Sequence, residues 1–245
     1  MTQVSPAELW ASMFHPETLY ALRFSLTTAC GAMATAICLG VTAAYFMARR
    51  NFPGKGLLET LLDLPLVMPP LVTGVGLLFL FGKDLLGGPL SELGLHIVLT
   101  PWGAVMAQAF IATPIVMRSS QAAFASVDRG YEEAAAALGM PPLKVFFQIN
   151  IPLAGRSLIS GIILAWARTM GEFGGTLMVA GATRFRTETL PIAVYLNISS
   201  GEIGIAVSCA LVLMGAAFIL LLATRMINLP IGHDNKGGAQ WPLSR

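Results

Sequence analysis

The sequence predicts an all-α polytopic membrane protein with five core transmembrane helices, six at most, and a polar helical loop between the third and the fourth. Three observations carry this. Of 245 residues, 55% are hydrophobic and only 11% charged, against about 25% charged in an ordinary soluble domain. The mean hydropathy is +0.71, and apolar segments long enough to cross a hydrocarbon core of about 30 Å recur along the chain. One polar, partly charged island, residues 118–156, separates them.

The same composition excludes several classes. A net charge of +2 is too small to argue for nucleic acid. Cys30, Cys38 and Cys209 lie in apolar runs without CxxC spacing and read as small hydrophobes. His15, His96 and His233 are isolated, so no metal constellation is expected. Glu8 and Glu17 precede the first long apolar segment, and no basic region with a cleavage site is present, so no cleavable signal peptide is expected.

Taken in order, residues 1–20 form an extracytoplasmic N-terminal segment whose amphipathic piece, 6–14, is too short to span. A membrane domain follows over 21–228. Its first span covers about 22–47 and is crowded with small residues, among them Ala29, Ala32, Ala36, Gly40 and Ala44. Such residues let helix backbones approach closely in lipid. Arg49, Arg50 and Lys55 close it.

The second span, about 57–81, carries Glu59 and Asp63 in its first turns, where carboxylates favour the positive helix end. Pro65, Pro69 and Pro70 interrupt it, followed by Gly74 and Gly76. Proline removes a backbone donor and kinks a helix. At membrane depth such a break survives where protein or a watery path satisfies the freed carbonyls. A plain kink and a pore-lining break both fit.

A Gly-rich connection leads to a third span over about 97–117, with Gln108 and Pro114 inside it. The fourth, about 157–180, carries Arg168 and Glu172. In the polar connection 181–202, residues 190–198 fit a short interfacial or re-entrant helix. The fifth span covers about 204–224, Arg225 marks its exit, and residues 229–245 form a cytoplasmic tail.

Lys and Arg counted on alternate sides set the orientation. The side holding residues 48–56, the island and the tail carries ten, against four opposite. The island and C-terminus are therefore expected in the cytoplasm.

Within the island, Asp128 suits a helix N-cap before Glu132 and Glu133, whose carboxylates favour the dipole. Ala134 to Ala137 are strong helix formers of almost no bulk. Gly139 suits the left-handed position past a helix end, and Pro141-Pro142 the start of a second helix over 143–149. Blandly read, this is a helical hairpin with a smooth Ala-rich face.

The full pattern is Glu133-Ala134-Ala135, three residues, Gly139, nine residues, then Ile149-Asn150-Ile151-Pro152. It resembles the coupling-loop (EAA) signature of ABC-importer permeases, departing only at Ile151, where the family usually has Leu. The resemblance covers most of residues 20–225. It implies that the short helix docks in a groove of a cytoplasmic ATPase, whose closure around ATP moves it as a lever. Glu132, Glu133, Ala134, Ala135, Gly139, Ile149 and Pro152 are the coupling residues so implied. It also implies a homodimer, two ATP-binding subunits, an extracytoplasmic substrate-binding protein and surrounding lipid as partners. Pro53-Gly54-Lys55-Gly56 lacks the leading glycine and trailing hydroxyl of a phosphate loop. No cofactor is thus expected on this chain: ATP-Mg belongs to the partner, and the chain is not the enzyme.

A second set of motifs speaks to cargo. Residues 63–70 (Asp-Leu-Pro-Leu-Val-Met-Pro-Pro), 167–175 (Ala-Arg-Thr-Met-Gly-Glu-Phe-Gly-Gly) and 187–191 (Thr-Glu-Thr-Leu-Pro) resemble the molybdate permease branch, close to tungstate and sulfate permeases. Arg168 and Glu172, four apart, share a helix face, and ionisable residues in a span face the bundle interior or water. One reading is an ion pair that fixes packing. The other places Arg168 on the path of a tetrahedral dianion, with Pro69, Pro70, Gly171, Glu172 and Gly174 beside it. An intramembrane enzyme built on Glu172 and Arg168 lacks a nucleophile–base pair, and a scaffold without transport leaves the intramembrane charge unexplained.

Overall fold

The computed structural model describes residues 6–228. Among them the order is α1 (Pro6–Met13), α2 (Pro16–Arg49), α3 (Lys55–Val67), α4 (Pro70–Leu80), α5 (Gly87–Glu92), α6 (Pro101–Ala125), α7 (Arg129–Ala137), α8 (Pro142–Val145), a π-turn (Phe146–Asn150), α9 (Ile151–Met170), α10 (Gly174–Ala180), α11 (Leu190–Ser200) and α12 (Ile203–Asn228). The chain is all-helical over the described residues, as expected. The tail expected over 229–245 lies outside them.

Three helical stretches are long and apolar enough to cross a membrane: α2, the run from α8 through α9, and α12. The pair α3 and α4 qualifies together but is bent by 113°. Helix α6 has the length for a further span, while Gln108 and its two prolines dilute its apolarity.

Several expected boundaries move. The first span begins at Pro16, where His15 Nδ1 accepts from the Glu17 N–H at 3.4 Å and starts the helix, so α2 runs through the boundary expected at 20/21. The third reaches Ala125, which takes residues 118–125 out of the island and into α6. The fourth is not continuous: α9 ends at Met170, and α10 is a separate short helix. The second helix of the hairpin is not separate either, because α8, the π-turn and α9 run on as one rod.

The core is made by α2 and α6. Ala29, Ala32, Ala36, Gly40 and Ala44 recur every three or four residues and are buried along one stripe of α2. At Gly40 the approach is backbone to backbone, since a Cβ there would lie 3.0 Å from Thr113 O. Dispersion across such close helix contacts, rather than hydrophobicity, holds helices together in lipid. Met47, Met117, Phe124 and Leu158 fill the same cluster towards one end of the bundle. At the other end Ala21, Leu190, Ala193 and Cys209 join α2, α11 and α12.

Asp63 and Glu59, expected in the first turns where they would favour the helix dipole, lie beyond the first turn because α3 begins at Lys55, and they bind α6 instead. Arg118 Nε donates to the two Asp63 carboxylate oxygens at 2.8 and 3.0 Å, and Gln121 Nε2 donates to Glu59 Oε1 at 2.8 Å. These contacts moor α3, whose residues are otherwise not buried.

Candidate functional site

Two groups of sequence-singled residues form two sites at different places in the fold. The first is the hairpin after α6. Asp128 Oδ1 accepts from Gly130 N at 2.9 Å and caps α7. At the far end Gly139 takes φ +77°, its N–H reaches Ala136 O at 2.9 Å, and Met140 N reaches Ala135 O at 3.0 Å. This closure satisfies the last carbonyls and turns the chain sharply. The left-handed φ is the reason for glycine there.

The two faces of α7 differ. Tyr131, Glu133, Ala134, Ala137 and Leu138 are exposed, Leu138 at 85%. Ala135 is buried, and Glu132 turns inwards to Arg49, Nε to Oε1 at 2.6 Å. Of the residues singled out for coupling, Glu133 and Ala134 are thus on the free face, and Glu132 and Ala135 on the inner one. Between Tyr45 and Arg49 of α2, Arg50 just past its end, and Glu133, Ala136 and Met140 of the hairpin lies a cavity of about 470 Å³.

Pro152 shapes the other end of the motif. A proline cannot donate to the carbonyl four residues back and its ring crowds that carbonyl. The chain answers with a π-turn, in which Ile151 N reaches back five residues to Phe146 O. The turn leaves Asn150 fully buried, and Ile149 half-buried beside it.

The second site is where the two broken spans meet. Helix α9 stops at Gly171, and Glu172 turns back so that its Oε1 accepts from Gly175 N at 2.9 Å, capping α10. Its other oxygen, Oε2, lies 3.4 Å from Arg168 Nη1. The pair expected from the spacing therefore forms, but across a helix end rather than on one helix face. Glu172 is buried and Arg168 half-exposed. Arg168, Pro65, Met68, Pro70 and Ile115 border a cavity of about 120 Å³.

The break at Pro69-Pro70 packs directly on α10. A Cβ on Gly174 would lie 2.9 Å from Leu71 N and 3.1 Å from Pro70 Cβ, so the backbones touch. Gly171 has no such role; a Cβ there would meet only Arg168 O at 3.7 Å. The third quoted motif lies elsewhere. Thr187, Glu188 and Thr189 are wholly buried in the connection before α11. There the Phe185 N–H donates to Glu188 Oε2 at 3.1 Å and Asn197 Nδ2 donates to Glu17 Oε1 at 2.6 Å.

Sequence reasoning passed over Arg49 and Asn150 as functional residues. Arg49 registers only as a charge that ends a span. No local signal names its partners, which lie 78 and 101 positions away.

An exposed, capped helix at one end of an apolar helical bundle, with two broken spans packed together in its body, defines a membrane transport component. The chain belongs to the family described as binding-protein-dependent transport system inner membrane component, whose model matches residues 36–229. It is thus a multi-pass inner-membrane protein and a non-catalytic subunit. It is 35% identical over 229 residues to the molybdenum transport system permease protein ModB of Mycobacterium tuberculosis, covering 93% of this chain and 86% of that one. It is 38% identical over 218 residues to a putative molybdenum transport system permease protein, YvgM, of Bacillus subtilis, covering 88% and 94%. The sulfate transport system permease protein CysT of Escherichia coli is 28% identical over 95% of this chain and 84% of its own. Among solved structures, a bacterial alginate ABC transporter in complex with its alginate-bound periplasmic protein matches with a TM-score of 0.71 at 13% identity, covering 89% of this chain and 81% of that one. The methionine ABC transporter MetNI, inward-facing, matches at 0.69 and 14%, covering 91% and 97%. At these identities they speak for the fold alone.

Proposed function

We propose that the chain is the permease subunit of an ATP-driven, binding-protein-dependent importer, and that its cargo is molybdate. The observation that carries the transport reading is the hairpin: a helix capped at both ends, free on the face bearing Glu133 and Ala134, and followed by a rod that carries Arg168 in its last turn and ends at Gly171. A push on α7 is thereby delivered to the segment that borders the broken spans.

The reading places α7 in the cytoplasm, on the side richer in Lys and Arg, with the C-terminus there too. Five crossings follow if α6 spans and the bent pair counts as one. Two copies would enclose the path, two partner ATPases would bind ATP-Mg, and an extracytoplasmic protein would deliver the cargo. Arg168 supplies positive potential for a tetrahedral dianion, with Pro69, Pro70, Gly171, Glu172 and Gly174 around it. Relatives named for molybdenum at 35–38% identity, against 28% for the sulfate permease above, favour molybdate over sulfate. Tungstate and sulfate or thiosulfate are the alternatives within the same architecture.

The test is uptake of labelled molybdate by a strain without its own carriers, supplied with this chain and its cognate ATPase and binding protein. ATP-dependent uptake that excess tungstate suppresses and sulfate does not is the expected result. Uptake of sulfate alone would transfer the assignment to sulfate, and uptake of none of the three would overturn the oxyanion reading.

A further inference from the structure

Two side-chain contacts fasten α7 to the end of α2: an exposed one, in which Arg129 Nη2 donates to Ala48 O at 3.4 Å, and a buried one between Glu132 and Arg49. Arg49, the last residue of α2, is nine-tenths buried. Its Nε lies 2.6 Å from Glu132 Oε1, and neither atom has another hydrogen-bond partner. Its Nη2 donates to Val127 O at 3.2 Å and to Asn150 Oδ1 at 3.2 Å. Asn150 is itself buried, and its Nδ2 donates to Tyr45 OH, back on α2, at 3.4 Å.

One guanidinium therefore touches three consecutive parts of the chain: the linker leaving α6, the first turn of α7, and the π-turn that opens α9. A planar fork with several fixed, spread-out donors suits such a junction, where an ammonium would have to reach all three partners from a single nitrogen. Because the pair is mostly withdrawn from water, separating it leaves a poorly solvated charge on each side. The junction thus resists being pulled apart while the helices it joins can still move together.

We propose that Arg49 is the positioning residue that converts displacement of α7 into joint displacement of α2 and α9. This rests on the permease reading above and adds to it a path: force enters at the exposed face of α7, passes through Glu132 to Arg49, and divides between α2 directly and α9 through Asn150. Without the junction, α7 is held by the backbone, by packing on α8 and the π-turn, and by the exposed bond from Arg129 to Ala48 O, and its movement is taken up by the turn at Gly139.

The test uses the full transporter, with its ATPase and binding protein, in vesicles. Arg49→Met is expected to insert and to co-purify with the ATPase, while molybdate moved per ATP hydrolysed falls by about tenfold, inside the range common for coupling between sites. Glu132→Arg alone is expected to uncouple equally. The double variant Arg49→Glu with Glu132→Arg is expected to recover the share of the ratio that passes directly to α2, which a role for Glu132 in docking alone would not allow. The branch through Asn150 stays lost, because a carboxylate cannot donate to Asn150 Oδ1. An unchanged ratio in Arg49→Met, or no recovery in the double variant, overturns the proposal. Loss of Arg49→Met from the membrane also overturns it, since the junction would then serve folding rather than force transfer. A wild-type assembly that moves no oxyanion would sink the permease cargo reading instead, and a wild-type chain that binds no ATPase would sink the coupling reading.

Discussion

Gly74 and Gly175 face each other across the two broken spans: a Cβ on Gly74 would stand 2.9 Å from Gly175 Cα and 2.8 Å from Met178 Cβ. Neither glycine is needed for its own backbone conformation, for neither has a positive φ. They are small because α4 and α10 touch there.

Gly74→Leu is therefore expected to force α4 and α10 apart and destabilise the protein by about 1–3 kcal/mol, as overpacking does. Thermal unfolding in detergent would register the loss. Gly76→Leu is the control, because a Cβ at Gly76 meets nothing within 4 Å. Equal midpoints for the two variants would contradict the contact.

The exposed face of α7 predicts a different phenotype. Glu133→Ala is expected to leave folding within about 0.5 kcal/mol, as surface changes do, yet to lower transport per ATP. Gly139→Val pushes a β-branched residue into a left-handed position at a cost of about 1–2 kcal/mol. It should displace the turn and uncouple more severely. The readouts are the thermal midpoint and the ratio of uptake to phosphate released.

Arg168 and Glu172 separate a packing role from a role on the path. Glu172→Ala removes the acceptor for Gly175 N, a cap worth about 1 kcal/mol, and should lower the thermal midpoint. Arg168→Met leaves that cap in place. If Arg168 focuses positive potential on the path, uptake drops by about tenfold or more while the midpoint moves less than in Glu172→Ala. A lowered midpoint with normal uptake per folded molecule would make the pair structural only.

The connection before α11 predicts a pH dependence. Burial, reinforced by the neighbouring Glu17 carboxyl, pushes the Glu188 carboxyl up to about 7, against the pull of the Phe185 N–H and Arg184. A carboxyl with a raised native pKa binds its proton more tightly folded than unfolded. Its stabilising share is complete below the unfolded pKa of 4.5 and is lost as pH rises through about 7. Wild-type protein should thus melt lower at pH 8 than at pH 5, and Glu188→Gln should flatten that difference. An unchanged difference in Glu188→Gln would show that the dependence arises elsewhere.

What the sequence by itself determined is local in origin. Hydropathy alone marks α2 and α12, because lipid demands a continuous apolar run and nothing more. Asp128 and Gly139 mark the ends of α7, because a cap is satisfied within three residues and a left-handed turn at one. The proline break at Pro69-Pro70 is legible for the same reason, since the missing donor and the ring clash act within one turn.

What only the tertiary structure decided depends on how each helix is rotated about its axis. The second break, at Gly171, is invisible as a break because no proline makes it; a buried carboxylate reaching Gly175 N does. Asp63 with Arg118, and Arg49 with Glu132, are ordinary charges in the sequence, 55 and 83 positions apart. They become partners because the small-residue stripe of α2 fixes its rotation against α6, and α6 in turn fixes where α3 and α7 must lie. The meeting of Gly74 with Gly175 follows from the same packing. A local rule can say where a helix stops, but the partner of a side chain is chosen by the face its helix turns to the core.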